Sequence, residues 1–421
     1  MAFQDIRKSR KFLSAADIGF VLGVIIFVVA LLILNIYLAR TLQGGEWLFL
    51  RWSSARAFLF EKVEPYGPAI TERVQTLVYG RDAFLEEYPY ALNDPFYIVL
   101  LYVPLAFFSD FAIAQGVWML FSQAALVGIV LLSLKLAEWE PPRWMFVIML
   151  GFGLFSYFSV NSFLSASPTI FLTLIYLSIL FALRSFSDEL AGALLFLVAY
   201  QWEVGALFFL FVLVFIVANR RWSVFVGLGM ALLVFVIVSF ISNSGWFISY
   251  VRAVLFDWTR GMSYSFLVTL SDIFPLISLA VSRWVSIVIA VILLFEAIRS
   301  VNEHFVHITW VAFLSLALNP VMGFAIFPSN HVVLLPAFIL VIALVWERWT
   351  NRRALVSIIL LGLVLIFSYG IYFQSTHTPY HLYSDLLKIL PPIAAIVALY
   401  WMRWWAVRPP RIWADQLGGR N

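Results

Sequence analysis

"DIGFVLGVIIFVVALLILNIYLAR", Asp17 to Arg40, carries no charge between its first and last residues. At ~1.5 Å per residue such a run matches the ~30 Å hydrocarbon core of a bilayer. The residues before it include Arg7, Lys8, Arg10 and Lys11 and contain no small-residue cleavage site, so the run reads as a retained first helix and not a cleaved signal peptide. Similar runs recur to the end of the chain. Of its 421 residues, 63% are hydrophobic and 12% charged, about half the ~25% charged content of soluble domains. The runs do not alternate, which excludes a β-barrel and leaves an all-α polytopic membrane protein.

About twelve spans are expected, near 17–40, 95–108, 112–134, 144–161, 166–183, 190–217, 222–242, 280–298, 305–325, 330–346, 354–373 and 386–405. The second is short, and Asn319-Pro320 and Gly323 interrupt the ninth. Hydrophilic insertions at 41–94 and 243–279, with shorter links at 326–330 and 374–385, then share one side. The opposite side collects the N-terminal cluster, Arg220, Arg221, Arg348, Arg352 and Arg353, and the tail's Arg403, Arg408, Arg411 and Arg420. The positive-inside rule therefore places both termini in the cytoplasm and the two long loops outside. The net charge of +4 serves orientation and gives no sign of a nucleic-acid partner. No repeat of solenoid length is visible, so residues 1–421 form one membrane domain. The chain has no cysteine, which excludes disulfides, iron–sulfur clusters and thiolate metal sites.

The first outer loop, "GGEWLFLRWSSARAFLFEKVEPYGPAITERVQTLVYG" (Gly44–Gly80), holds two helical patterns. Trp47–Phe60 places apolar residues around Arg51 and Arg56, and Pro68 suits the first turn of a second helix over Ala69–Tyr79. Amphipathic helices of this length lie in the membrane interface, here as a roof over the outer end of the bundle. Next comes "EEYPYALNDPF", Glu86–Phe96, which concentrates carboxyl, amide and aromatic groups ahead of an apolar run. It reads as one wall of a binding pocket, with Tyr88 and Tyr90 offering ring faces and Glu86, Glu87 and Asp94 offering carboxylates for hydroxyl groups. Asp94, just before Pro95, also suits the cap of the second span.

Elsewhere, Arg252 and Arg260 flank "AVLFDWT" in the second outer loop. Asn330 and His331 open the tenth span, where backbone amides favour an anion. Gln201 and Glu203 lie within the sixth span, and an intramembrane carboxylate is costly enough to suggest a functional cavity. His377 and His381 have metal-capable spacing, but Pro379 between them breaks the helix that spacing needs.

The acidic residue beyond the first helix, "W-x-x-A-R-A-F-L", "EPYGP", "VYGR" and "YPYA…F…PLAFF" resemble the GT-C glycosyltransferases, in particular glycosyltransferase family 87. The likeness covers Gly44–Phe108 best and continues more weakly through Val198–Trp222, Ser244–Trp258 and Ser329–Trp349. It implies a GT-C-like helical bundle that transfers a hexose, mannose in that family, from a polyprenyl-phosphate donor to a lipid or glycan hydroxyl, with inversion. The implied location is the plasma membrane of a bacterial cell envelope. Glu46 stands where the family carries its aspartate and is the expected general base. Arg252, Arg260, Asn330 and His331 are the expected phosphate ligands, and Gln201 and Glu203 line the inner part of the site. No cofactor or metal is expected, since no DxD triplet occurs and a monophosphate leaving group carries less charge than a nucleotide diphosphate. The family's K-P-Q is replaced by Ala199-Tyr200-Gln201. That departure keeps open a non-catalytic relative, and the many spans keep open a flippase or transporter of lipid-linked sugar.

Overall fold

The structure, a computed structural model, describes residues 15–84, 87–261, 265–274, 279–301, 303–322, 324–349, 351–377 and 381–407. Seven helices among them are long and apolar enough to cross a membrane, eight if one bent pair counts as a single span. The chain is thus a helical membrane protein, but several of the twelve expected spans are not single helices.

Helix α1 (Ala15–Thr41) is one of the seven, and most of its side chains face outward. It docks on α6 through paired amides: Asn35 Nδ2 donates to Gln123 Oε1 at 3.1 Å and Gln123 Nε2 to Asn35 Oδ1 at 3.2 Å. Each amide satisfies the other where no water competes. The roof follows as α2 (Glu46–Arg56), extended by a π-turn over Ala57–Glu61, and α3 (Pro68–Tyr79). Helix α2 departs from the expected interfacial amphipath: Arg51, Ser53 and Ser54 are buried along with its apolar residues. The stretch 95–108 breaks into α4 (Phe96–Leu101) and α5 (Val103–Ala106). Six residues rise only ~9 Å, far short of a crossing.

Helix α6 (Phe111–Leu136) runs away from the roof; Asp110 caps it and pairs with Arg40 at 2.7 Å. The expected span 144–161 bends by 42° between α7 (Arg143–Phe155) and α8 (Tyr157–Leu164). The Phe155 carbonyl at that bend accepts from Tyr369 Oη at 2.8 Å. Helix α9 (Thr169–Arg184) returns from a second break. The expected span 190–217 is also divided, into α10 (Asp188–Leu195), a 3-10 turn over Phe196–Tyr200, and α11 (Trp202–Ala218). Helices α12 (Ser223–Ser242), α13 (Trp246–Gly261), α14 (Phe266–Ile273) and α15 (Leu279–Ser300) follow. Helix α16 (Phe305–Leu318) ends in a 3-10 turn at Asn319–Met322, and a second such turn, Pro328–Leu334, leads into α17 (Leu335–Arg348). The stretch His331–Trp346 is buried throughout and forms the axis of the bundle. Around it pack α6, α16, α18 (Arg353–His377), α19 (His381–Trp401) and α20 (Arg403–Val407).

Away from the roof lie the pairs Arg184–Glu138 at 2.6 Å, Arg403–Glu296 at 2.8 Å, and Arg221–Asp188.

Candidate functional site

Three chain breaks meet beneath the roof. At the first, Ala166 takes φ 50 between α8 and α9. At the second, Gln201 is extended (φ -134, ψ 92) before α11. The third runs from Asn319 to His331. Broken helices expose backbone and polar side chains that must find partners inside the bundle, and here they find one another. Thr169 Oγ1 lies 3.0 Å from Gln201 Oε1, 2.9 Å from Asn330 Oδ1 and 3.0 Å from Ser167 Oγ. A hydroxyl has one proton, so one of the two amides satisfies the contact by turning its NH₂ toward Thr169. Ser162 donates to the Ser329 carbonyl. Asn319 Nδ2 donates to the Glu203 carbonyl at 2.6 Å, and its Oδ1 accepts from Leu207 N at 2.8 Å. Those two backbone groups bond each other in an uninterrupted helix, so Asn319 occupies a rung of the α11 ladder.

Glu203 therefore does not sit in mid-span as expected. It lies in the first turn of α11, where a carboxylate complements the helix dipole. Glu203, Asn330 and His331 line one cavity of about 10 Å³, with Pro320 and Ala325. His331 is 1% exposed. Its ring meets Phe158 edge-on at 6.3 Å and lies against the backbone of Lys388.

Glu46 is joined to the first break. Gly45 N donates to the Leu164 carbonyl at 3.0 Å, two residues from Ser162. Gly44 (φ +146) and Gly45 (φ +82) take backbone angles open to glycine, and a Cβ on either would strike Leu164 O or the Gln115 side chain. That tight seat leaves Glu46 half-buried as the first residue of α2. Burial pushes its carboxyl up to about 7, opposed by a hydrogen bond from its own backbone N–H. Glu46 makes no side-chain ion pair among the described residues.

The next residue, Trp47, anchors an aromatic wall. Its ring lies 5.9 Å from Tyr88, 5.5 Å from Tyr90 and 5.0 Å from Phe327, and Tyr88 meets Phe327 at 4.9 Å. Phe327 immediately precedes the turn that carries Asn330 and His331. Helix α3 holds the tyrosine loop in place: Gln75 donates to the Pro89 carbonyl at 2.8 Å and Tyr79 to the Tyr88 carbonyl at 3.1 Å. Tyr90 is bent to φ 47, a strained region for a large side chain that the surrounding contacts sustain.

Asp94 has a different task from the one expected. The N-cap of α4 is Pro95, without a side-chain cap, and Asp94 is instead spent on Arg51. Its Oδ2 lies 2.8 Å from Arg51 Nε and its Oδ1 3.2 Å from Nη2, with both side chains at most 2% exposed. The guanidinium also donates to the Trp47 carbonyl at 2.8 Å and faces the Tyr200 ring at 5.1 Å. Burial opposes its charge, but the Asp94 carboxylate with Tyr200 and Tyr102 outweighs burial and raises the pKa above the ordinary guanidinium value. Asp94 therefore has no carboxylate to spare for a sugar.

The remaining candidates divide. Glu87 pairs with Arg81 at 2.7 Å on the surface, which keeps its carboxyl below the usual range. Glu86 and the Arg260 side chain lie outside the described residues. Arg252 is exposed on α13 and does not line the cavity. His377 bonds the Phe373 carbonyl at 2.9 Å, and the His381 side chain lies outside the described residues. Among the described residues no three His, Cys, Asp or Glu side chains are grouped to hold a metal ion.

The structure thus brings Tyr88 and Tyr90 together with Trp47, and Gln201, Glu203, Asn330 and His331 together with Thr169 and Asn319. The sequence reading missed Thr169, Asn319, Tyr200 and the role of Arg51. Only the Asn319-Pro320 break and the arginine among tryptophans gave any local sign of them. No family model matches the chain, and no curated protein or solved structure is significantly similar to it.

Proposed function

We propose that this chain is a membrane glycosyltransferase that moves a hexose from a polyprenyl-phosphate donor to a lipid or glycan hydroxyl, with Glu46 as general base. The observation that carries the reading is Glu46 itself: a half-buried carboxyl poised at about 7, seated beside the aromatic wall and tied to the broken-helix junction. A base with a pKa near the working pH combines a large ionised fraction with a real affinity for the proton. In the proposed step Glu46 takes the acceptor hydroxyl's proton as the oxygen attacks the anomeric carbon. The bond from that carbon to the phosphate oxygen breaks from the opposite face, and the phosphate leaves with the electron pair. Trp47, Tyr88 and Tyr90 offer flat apolar surface for sugar faces. Asn330 and His331 supply donors for the departing phosphate, and Arg252 and Arg260 remain the cationic candidates. The mannose donor and the outer-face orientation come from the resemblance and the charge pattern.

The three discontinuous helices favour a second reading, a transporter of lipid-linked sugar, since broken helices commonly line transporter sites. Purified protein in detergent separates the two. An enzyme releases polyprenyl phosphate from polyprenyl-phosphate mannose with a suitable acceptor, whereas a transporter has no second compartment to serve and leaves the donor intact.

A further inference from the structure

Arginine followed by tryptophan recurs at Arg143-Trp144, Arg348-Trp349 and Arg403-Trp404. The fold brings these distant pairs together at the end of the bundle away from the roof. Trp346 of α17 is one hub: its ring lies 5.8 Å from Trp144 at the start of α7 and 5.8 Å from Trp139 in the link before that helix. On the other flank Trp349 lies 5.5 Å from Trp401 at the end of α19. Two guanidinium groups stand on this indole floor. Arg353, which opens α18, sits 4.8 Å over Trp346, and Arg348 sits 4.6 Å over Trp349 and 4.9 Å over Trp405 of α20. A ring holds a guanidinium by its face and leaves the in-plane N–H groups for an acceptor.

The protein does not supply that acceptor as a carboxylate. Arg143, Arg348, Arg352 and Arg353 are all exposed, and none makes an ion pair among the described residues. Glu140 and Glu347 share this end, so the four arginines leave a positive balance, while the nearby Arg184 and Arg403 are already matched by Glu138 and Glu296. The chain offers its own comparison. "NRR" occurs at 219–221 and at 351–353, and each time the first arginine turns the chain with a positive φ, 55 at Arg220 and 64 at Arg352. In the first turn the second arginine, Arg221, is neutralised by Asp188. In the second, Arg353 has the Trp346 ring and no such carboxylate among the described residues.

Helices α17, α18 and α19 belong to stretches of membrane-crossing length, so this face lies at a membrane surface, where arginine and tryptophan meet lipid head groups. Trp144 and Trp401 are 46% and 47% exposed beside the guanidiniums, an apolar surface that a soluble anion would not use. We infer that this face binds an anionic phospholipid of the leaflet opposite the roof, its phosphate taken by Arg348 and Arg353 and its upper acyl chains lying on the exposed tryptophans. Arg143 and Arg352 add attraction without stacking. The inference holds whether the protein transfers sugar or transports it.

Native mass spectrometry of the full chain, released from detergent, counts bound lipids directly. Titrated with phosphatidylglycerol or phosphatidylcholine of the same acyl chains, the parent should bind the first about tenfold more tightly or better. Arg348→Gln and Arg353→Gln should each weaken phosphatidylglycerol about tenfold, a loss of ~1.4 kcal/mol, and leave phosphatidylcholine unchanged. Either variant suffices if the other does not elute as folded protein. Arg353→Lys is the sharper test, because lysine keeps the charge but has neither the flat face nor the fork, and it should lose most of the preference for phosphatidylglycerol. Arg40→Gln, which removes a positive charge at the roof end, should bind as the parent does. Equal binding of the two lipids, or parent-level binding by the folded glutamine variants, would overturn the inference. So would an unchanged lysine variant or an equal loss in Arg40→Gln, since either reduces the effect to diffuse positive charge. Displacement of the lipid by millimolar inorganic phosphate would assign the arginines to a soluble anion and overturn it as well.

Discussion

Asp94→Ala gives the most direct test of how the roof is held. It leaves the Arg51 guanidinium charged and 2% exposed, with the Trp47 carbonyl and the Tyr200 ring as its remaining contacts. Removing one partner of a buried ion pair costs ~3–5 kcal/mol, because the remaining charge stays desolvated and unpaired. This pair lies at the severe end of that range. Arg51 cannot neutralise itself, and no rotamer carries it to water without lifting α2 from α4 and the 88–94 loop. The double variant Arg51→Met, Asp94→Leu removes both charges and fills the space with apolar groups, which is commonly neutral or stabilising relative to the pair. The assay is equilibrium unfolding of the purified protein in mixed micelles against rising SDS. Asp94→Ala should shift the folded–unfolded ratio by two to three and a half decades at ~1.4 kcal/mol per decade, and the double variant should recover most of that loss. A single variant within ~1 kcal/mol of the parent, or a double variant no better than the single, would refute the burial argument.

Glu46→Gln should lower sugar transfer by ~10²–10⁴ with donor binding retained, while Glu46→Asp keeps substantial activity; a glutamine variant within a few-fold of the parent would remove Glu46 from the role of base. The Glu46 carboxyl is raised from 4.5 to about 7, so the folded state binds the extra proton. Its contribution to stability is therefore greatest below pH ~4.5 and declines as pH rises through ~7. The matching slope in SDS unfolding should disappear in Glu46→Gln, and an unchanged slope assigns the pH dependence to other groups. Topology can be checked in the cysteine-free parent: Glu72→Cys, on the exposed side of α3, should react with an impermeant thiol reagent in intact cells, and Glu140→Cys, at the other end of the bundle, should not. The reverse pattern would invert the orientation and move the proposed site to the inner face.

Features that depend on near neighbours are legible in the order of residues. Long uncharged runs make helices and a membrane protein, and the runs that became α1, α12 and α18 needed no information from elsewhere. Proline after Asn319 marked one break, apolar spacing around Arg51 and Arg56 marked the first roof helix, and Pro68 marked the start of the second. The seat of Glu46 just past the first helix was legible for the same reason. The tertiary structure alone decided where charge and polarity were satisfied. "FLVAYQWEVG" reads as continuous apolar helix, and its break at Gln201 is sustained by Thr169, 32 residues away, and by Asn319, 112 residues from Leu207. Asp94 reads locally as a helix cap, because nothing nearby shows that Arg51, 43 residues earlier, will be buried against it. A buried polar group takes whichever partner the packed bundle brings within hydrogen-bond reach, and its desolvation cost makes that choice obligatory. No local pattern encodes a contact between residues 161 apart, such as Thr169 and Asn330. That contact, with those of Asn319, makes the junction, and the Arg51–Asp94 pair holds the roof above it.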